Sequence, residues 1–291
     1  MPIDLKDAFT NPPPDIDYVW YCFAAGTVGA LVAPGATGKS FWALQAAMTV
    51  ACGVPGGDLI GLTPQKTGRV VYLAGEDNAL MLTHRIHAMG KHLSPEAIDD
   101  ISRNLIVEPL AGSRVNIMSS EGKKHVLSLA QNPRLIILDT ISRFHELDEN
   151  SNGDMARLVS TLEELAAASG AAVLFIHHVS KSSGRDGIID QQSSRGASAL
   201  IDNGRWCGYL VQMTSDEALR LVDSQTPSSP IGSHYRQYVR LGENKRNYGA
   251  ATAEHRWFKR TEGGVLVPTT LEAIRDNTAQ RRKGAPIAFT K

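Results

Sequence analysis

The sequence predicts an α/β fold, in which a mainly parallel central sheet is flanked by helices and extended by antiparallel strands near the C terminus. Between residues 27 and 203, short and almost wholly apolar runs alternate with helical patterns. This alternation is typical of a parallel sheet that is covered on both faces. After residue 204, β-favouring runs follow one another at shorter intervals, which indicates antiparallel pairing.

The individual elements follow from local patterns. In the last helix before the change of character, apolar residues recur at the helical period, and Gly170 provides a C-terminal stop. A stretch rich in Ser, Pro and Gly predicts a loop over residues 223–234. Strands are predicted at 27–32, 70–74, 105–107, 135–138, 172–176, 206–213, 236–241, 255–259 and 265–267, and helices at 41–51, 80–93 and 155–168.

The chain is expected to comprise one main domain with two extensions. Residues 1–20 form an N-terminal arm, because Pro12, Pro13 and Pro14 impose an extended path after a short amphipathic piece. Residues 21–274 form the domain itself. Residues 275–291 are polar and basic, and they are expected to be a disordered tail.

Composition excludes several classes of protein. The 291 residues include 30 basic and 30 acidic side chains, so an anionic partner must meet a local basic patch. The three cysteines lie far apart without ligand spacing, which favours reduced, buried thiols over a metal site or a disulfide. No apolar stretch approaches the ~20 residues that cross a bilayer. A cytoplasmic protein without a membrane partner is therefore expected.

The most informative motif lies between the first predicted strand and the first predicted helix. Glycines there allow backbone N–H groups to approach phosphates, the lysine reaches the β and γ oxygens, and the following serine ligates Mg²⁺. The first position is Ala33, where the strict pattern has glycine. ATP and Mg²⁺ are therefore the expected cofactors. The predicted nucleotide-binding residues of this segment are Pro34, Gly35, Ala36, Thr37, Gly38, Lys39, Ser40 and Phe41.

Two further strand ends carry carboxylates. Asp139 ends an apolar run and is predicted to support Mg²⁺ together with Ser40, since ligands in open parallel sheets bind at the carboxyl ends of strands. Thr140 follows it, which disfavours ATPases whose catalytic glutamate comes next after the aspartate. Glu76 ends the strand at 70–74 and is the predicted water-activating base. Asp77 is the alternative, because adjacent strand residues point to opposite faces.

A third strand end carries two histidines and leads into a polar loop. His178 is preferred over His177 as a sensor of the γ-phosphate, because it is the last residue before the loop. Adjacent strand residues diverge, so joint metal binding by the pair is not expected. The loop is either a plain surface loop or a contact for a nucleic-acid backbone. Its predicted DNA-binding residues are Lys181, Arg185 and Arg195.

The order of these motifs resembles that of the RepA family of plasmid-encoded hexameric replicative helicases. The resemblance extends from about Tyr18 to Trp257. The order of Glu76 before Asp139 is also that of RecA-type ATPases. The segments that carry the resemblance are APGATGKS, YLAGED, LIILDT, FIHH, SSRGAS, DNGRW and ENKRNYG.

The resemblance implies a homohexameric ring of RecA-like cores, with ATP between subunits and single-stranded DNA threaded through the centre. Arg205 matches the family's arginine finger, which a neighbouring subunit donates to the transition state. Lys245 and Arg246 resemble the Lys/Arg pair of related ring helicases, and are predicted to contact the nucleotide. Loop 180–196 would line the DNA channel. Tyr18, Trp20 and Tyr248 are candidate stacking surfaces for the adenine.

The family also implies 5′-to-3′ travel, a role in plasmid or mobile-element replication, and a plasmid replication initiator as a candidate partner. Two other functions share these residues. One is a RecA-type ATPase that binds DNA without unwinding it, and the other is a nucleotide-gated replication regulator. Glu76, Asp139 and Arg205 argue against the regulator, because a regulator needs no hydrolytic machinery.

Overall fold

A computed structural model describes residues 2–179, 200, 203–227, 229–246 and 255–274. Within these residues, nine strands form one central sheet. The sheet order is β12-β11-β10-β8-β3-β7-β6-β4-β5, and two small sheets pair β1 with β2 and β9 with β13. The strands are β1 (Tyr18–Trp20), β2 (Phe23–Ala24), β3 (Val28–Ala33), β4 (Val70–Ala74), β5 (Leu105–Pro109), β6 (Leu135–Asp139), β7 (Ala172–His178), β8 (Trp206–Gln212), β9 (Leu221–Asp223), β10 (Tyr238–Arg246), β11 (Arg256–Arg260), β12 (Leu266–Thr269) and β13 (Leu271–Ala273).

Helices cover both faces of the sheet. One face packs against α2, α3 and α4, and the other packs against α5 and α6, so the strands between them are buried on both sides. None of the helices in the described ranges is both long enough and apolar enough to cross a bilayer. The helices are α1 (Leu5–Thr10), α2 (Lys39–Ala51), α3 (Ala79–Gly90), α4 (Pro95–Asn104), α5 (Ser120–Ser128), α6 (Asn152–Ser169) and α7 (Ser215–Ala218).

The predicted fold class is confirmed, with one refinement. Strands β10, β11 and β12 are antiparallel to their neighbours, but β8 runs parallel to β3 and belongs to the parallel part of the sheet. The connection between β7 and β8 is long enough for the crossover that parallel strands require. The helical stop at Gly170 is also confirmed, since this residue has a φ of +71° and caps α6.

Two helices were missing from the prediction. Helix α4 begins with Ser94 as its N-cap and Pro95 in its first turn, and α5 begins with Ser119 as its N-cap. Both helices bury only a few residues, so their apolar periodicity is short and weak. The predicted loop at 223–234 is also partly regular, because Asp223 ends β9 and a 3₁₀ turn begins at Gly232.

The N-terminal residues join the core before residue 21. Trp20 is 2% exposed and lies in an aromatic cluster with Phe23, Trp42 and Trp206. Its rings are therefore covered on several sides, and Trp20 has no free face for an adenine, contrary to the prediction. Helix α1, by contrast, buries none of its residues. The domain boundary at residue 20 stays a prediction, but the packing of Trp20 supports one that lies before β1.

The register of the parallel strands aligns their carboxyl ends. Ala33 at the end of β3 pairs with His178 on β7, and Ala74 at the end of β4 pairs with Asp139 on β6. Glu76 follows two residues after Ala74. The motifs singled out in the sequence therefore meet at one edge of the sheet, where α2 begins.

Candidate nucleotide-binding site

The loop between β3 and α2 has the backbone geometry that phosphate binding requires. Gly38 has a φ of +102° and precedes Lys39, the first residue of α2. Ala36 has a φ of +65°, so the loop contains two left-handed residues, an arrangement that turns successive N–H groups to one side. Ala33 lies within β3 and is not left-handed, which explains why glycine is not needed at the first motif position.

Lys39 and His178 are in direct contact at this edge. Lys39 Nζ lies 2.7 Å from His178 Nδ1, and the lysine is 5% exposed. Burial lowers the pKa of Lys39, while the carboxylates of Asp139 and Glu76 oppose that change. Burial and the charge of Lys39 lower the pKa of His178, so the imidazole is neutral at pH 7. Its Nδ1 therefore accepts from the ammonium group, and its Nε2 carries the proton.

Asp139 lies almost completely buried beside α2. Tyr72 on β4 donates a hydrogen bond of 2.5 Å to Asp139 Oδ2, and the same hydroxyl lies 3.4 Å from the carbonyl oxygen of Ser40. Burial raises the pKa of Asp139, and the hydroxyls of Tyr72 and Ser40 limit that rise. Tyr72 was not among the predicted site residues. The available signal was a lone hydroxyl in an apolar strand, since a buried tyrosine usually needs a hydrogen-bond partner.

Glu76 lies between His178 and a second cation. Its carboxylate is 3.8 Å from His178 Nε2 and 3.5 Å from Arg143 Nε. Burial alone would raise the pKa of Glu76, but the Thr140 side chain, His178, Arg143 and Lys39 hold this pKa below its ordinary value. The carboxylate is thus ionised and 42% exposed, as a group that accepts a proton from water must be.

Asp77 is engaged elsewhere. Arg85 on α3 forms an ion pair of 2.5 Å with one carboxylate oxygen of Asp77 and a hydrogen bond of 3.0 Å to the other. The same guanidinium lies 5.0 Å from the ring centre of Phe41. Asp77 therefore fixes the start of α3 against the phosphate loop. Between the two adjacent acids, this geometry supports Glu76 as the base.

The residues at this edge fit a nucleotide with Mg²⁺. Ser40 and Asp139 supply the oxygen donors that Mg²⁺ prefers, and the hydroxyl of Tyr72 already orients one of them. Lys39 supplies a buried positive charge next to the left-handed loop. We therefore assign the phosphate site to this loop, with Ser40 and Asp139 as the residues that would hold the metal.

A residue from the C-terminal strands also reaches the loop. Arg260 on β11 donates from Nη2 to the carbonyl oxygens of Thr37, at 2.8 Å, and of Ala36, at 3.4 Å. A side chain at Gly38 would lie 2.9 Å from the same atom. These bonds hold two carbonyls on the outer side of the loop. No sequence signal marked Arg260, because only the fold brings β11 to this position.

The three cations predicted to act on the nucleotide lie at the opposite edge of the sheet. The N–H of Arg205 bonds to Val28 O, at the start of β3, and the side chain is exposed. Lys245 and Arg246 are in register with Cys207 and Trp206 at the same end of β8. The length of β3 separates this edge from the phosphate loop by about 17 Å. Arg205 is therefore distant from the phosphate site of its own chain.

The predicted DNA-binding residues cannot be placed. Lys181, Arg185 and Arg195 lie outside the described residues, as do Tyr248 and the tail from residue 275. Val179, the last described residue before the loop, follows His178 directly and is 7% exposed. Tyr18 lies away from the phosphate loop, since its carbonyl oxygen accepts from Arg134, which precedes β6.

Solved structures with a similar fold include a recombinase, an ATPase domain and a replicative helicase. The RadB recombinase matches with a TM-score of 0.51 and 16% identity over 83% of this chain and 90% of that chain. The ATPase domain matches with a TM-score of 0.55 and 12% identity over 90% of this chain and 95% of that chain. A DnaB-like replicative helicase matches with a TM-score of 0.54 and 13% identity, over 84% of this chain but only 58% of that chain.

These neighbours establish a RecA-like fold, and at such identities they establish the fold alone. A family model adds to it. The model described as an AAA domain matches residues 2–184, which include the phosphate loop, Glu76, Asp139 and His178. That match spans more than half of the chain, and it includes every residue that we find around the phosphate site except Arg260. The chain is a member of the AAA domain family.

Proposed function

We propose that this protein is an ATP-driven ring helicase that moves on single-stranded DNA, related to the RepA helicases of plasmids. The observation that carries this proposal is the division of the catalytic residues between two edges of one sheet. Lys39, Asp139 and Glu76 lie at one edge, and Arg205 lies at the other. A complete site then requires two copies of the chain, arranged head to tail as in a ring.

Each residue has a defined task in this reaction. Lys39 and the loop amides bind the phosphates. Glu76 accepts a proton from the water that attacks the γ-phosphate, and its lowered pKa keeps it ionised for that purpose. Mg²⁺, held through Ser40 and Asp139, would neutralise the charge of the phosphate oxygens. Arg205 of the neighbouring copy offsets the charge of the transition state, with Lys245 and Arg246 beside it.

His178 connects hydrolysis to DNA in this proposal. Its ring contacts both Lys39 and Glu76, and the next residues lead into loop 180–196, which carries Lys181, Arg185 and Arg195. A change at the γ-phosphate alters the partners of His178 and is transmitted to the start of that loop. We place the protein in the cytoplasm, in the replication of a plasmid or mobile element, with a replication initiator as a partner.

A strand-displacement assay tests the activity. The protein is incubated with ATP, Mg²⁺ and a forked duplex, while its mass is measured with and without nucleotide and oligonucleotide. Displacement by a hexamer is expected. ATP turnover without displacement, under conditions in which a ring forms, would instead identify a DNA-binding ATPase. A monomer under all conditions would overturn the proposal, since Arg205 would then have no site to complete.

A subunit-mixing experiment tests the shared site directly. Lys39→Ala removes the loop function and leaves Arg205 intact, whereas Arg205→Ala does the reverse. Each variant alone is expected to lose about 10³-fold or more in ATP turnover. In rings assembled from equal amounts of both, about one quarter of the sites combine an intact loop with an intact arginine, so turnover should partly return. No recovery in confirmed mixed rings would contradict a site shared between copies.

A further inference from the structure

Tyr72 is a buried hydroxyl in the middle of the apolar strand β4. Its side chain is enclosed by the core on the α2 face of the sheet and is 1% exposed. The hydroxyl donates to Asp139 Oδ2 at 2.5 Å and also lies 3.4 Å from Ser40 O. One phenol thus touches both residues that we assign to the metal. The proposed reaction gives this tyrosine no task of its own.

The pairing of the strands explains the contact. Tyr72 is in register with Ile137, and Ala74 is in register with Asp139. Because side chains alternate along a strand, Tyr72 and Asp139 are diagonal neighbours on the same face. The backbone of both strands is held by the sheet, so the position of the hydroxyl is fixed by the core. It binds one oxygen of the carboxylate and leaves the other oxygen available beside Ser40.

We propose that Tyr72 is a positioning residue for Mg²⁺, which holds the Asp139 carboxylate in the orientation that supports the metal next to Ser40. The proposal rests on the Mg²⁺-nucleotide site of the proposed function and adds a residue that acts through Asp139. Outer partners of metal-binding groups commonly contribute 10- to 100-fold to metal affinity, because they fix the orientation of the ligand. The same scale is expected for Tyr72.

The chain offers a matched control for this hydroxyl. Tyr238 is also buried, and it donates a hydrogen bond of 2.8 Å to the buried carboxylate of Asp223. Asp223 also accepts from Lys259 and Thr269, within the C-terminal strands. Tyr238→Phe and Tyr72→Phe therefore remove the same kind of bond, in a structural network and at the candidate metal site respectively.

The test measures binding without turnover. The fluorescent nucleotide mant-ADP is titrated onto the wild-type protein and both variants, at a series of free Mg²⁺ concentrations and in EDTA. In Tyr72→Phe, the Mg²⁺ concentration for half-maximal enhancement of binding should rise about tenfold, while affinity in EDTA changes by less than about twofold. Tyr238→Phe should alter neither quantity. Thermal melts report whether each variant is folded.

Three results would separate the explanations. An unchanged Mg²⁺ midpoint in Tyr72→Phe, or an equal loss of affinity with and without Mg²⁺, would overturn the role of Tyr72. In an Asp139→Asn background, adding Tyr72→Phe should cause no further shift, and a further shift would also overturn the proposal. This pair serves even if Tyr72→Phe alone does not fold, since the neutral amide in the Asp139→Asn background leaves no buried charge without a donor. A wild-type protein whose mant-ADP binding ignores Mg²⁺ would instead refute the proposed function.

Discussion

The ammonium group of Lys39 and the imidazole of His178 share a 2.7 Å hydrogen bond at the carboxyl edge of the sheet. Lys39 belongs to the loop after β3, and His178 ends β7, the strand next to it. The contact connects the group that binds phosphate to the strand that leads into the proposed DNA loop. Since the imidazole is neutral, the bond depends on the lone pair of Nδ1 and not on a charge of the ring.

Replacement of His178 should therefore separate DNA from hydrolysis. His178→Ala removes the acceptor of Lys39 but none of the groups that bind phosphate, so the affinity for mant-ADP should stay within about threefold of the wild type. Stimulation of ATP turnover by single-stranded DNA should fall at least about tenfold. Steady-state turnover with and without an oligonucleotide checks this. The exposed His234, near β10, supplies a control variant, and full stimulation in His178→Ala would contradict the coupling role.

Glu76 and Asp77 are adjacent, but their substitution should have different consequences. Glu76→Gln removes the proton acceptor, so ATP turnover should fall by about 10²- to 10⁴-fold while mant-ADP affinity is kept. Asp77→Asn loosens Arg85 at the start of α3 and should reduce turnover by less than about tenfold. Single-turnover kinetics with saturating ATP compare the two variants. A larger loss in Asp77→Asn than in Glu76→Gln would reverse the assignment.

The ion pair that ties the first strand to the sheet should make stability depend on pH. The Arg134 guanidinium bonds to both oxygens of Asp17 and lowers the pKa of that carboxyl below its ordinary value. Asp17 then binds protons more weakly in the folded than in the unfolded chain. Its contribution is complete above about pH 4 and is lost as the pH falls through the lowered pKa.

This linkage is testable by denaturation. Asp17→Asn should reduce the free energy of unfolding by about 1 kcal/mol at pH 7, a small value because the carboxylate is 42% exposed. The difference from the wild type should disappear near pH 3. Urea unfolding at the two pH values measures both quantities. Asp15→Asn, two residues away and exposed, should cause no such pH-dependent change, and a constant difference in Asp17→Asn would contradict the linkage.

Much of the parallel sheet was predictable from the sequence, because its strands are buried on both faces. Runs such as Val70–Ala74 and Leu135–Asp139 are continuous and apolar, and each ends in or just before a residue with a chemical task. The phosphate motif between β3 and α2 is predictable for a related reason, since its glycines and lysine have fixed spacing. The structure confirms that these segments meet at one edge.

Contacts between distant segments were not predictable in the same way. Arg260 reaches Thr37 across 223 residues of sequence, and Arg143 reaches Glu76 from the 3₁₀ turn after β6. No local pattern marks either arginine, because its partners are set by strand order. Tyr72 is intermediate: its burial within an apolar strand was visible, but its partner was not. Trp20 shows the opposite error, since an aromatic residue near a motif turned out to belong to the core.

The contact between Arg260 and the phosphate loop yields a final prediction on nucleotide affinity. Its two hydrogen bonds hold the carbonyls of Ala36 and Thr37 outward, which keeps the N–H groups of the loop turned towards the phosphates. Arg260→Met keeps much of the apolar stem but removes these bonds, so the affinity for mant-ADP should fall about tenfold, equivalent to two ordinary hydrogen bonds. Arg256→Met is the matched control, because Arg256 lies on the same strand and bonds to the carbonyl of Gly61, far from the phosphate site. That control should bind mant-ADP as the wild type does. If both variants bind equally well, the loop holds its shape without Arg260. If ATP turnover at saturation falls while affinity stays constant, Arg260 acts on the reaction and not on the shape of the loop.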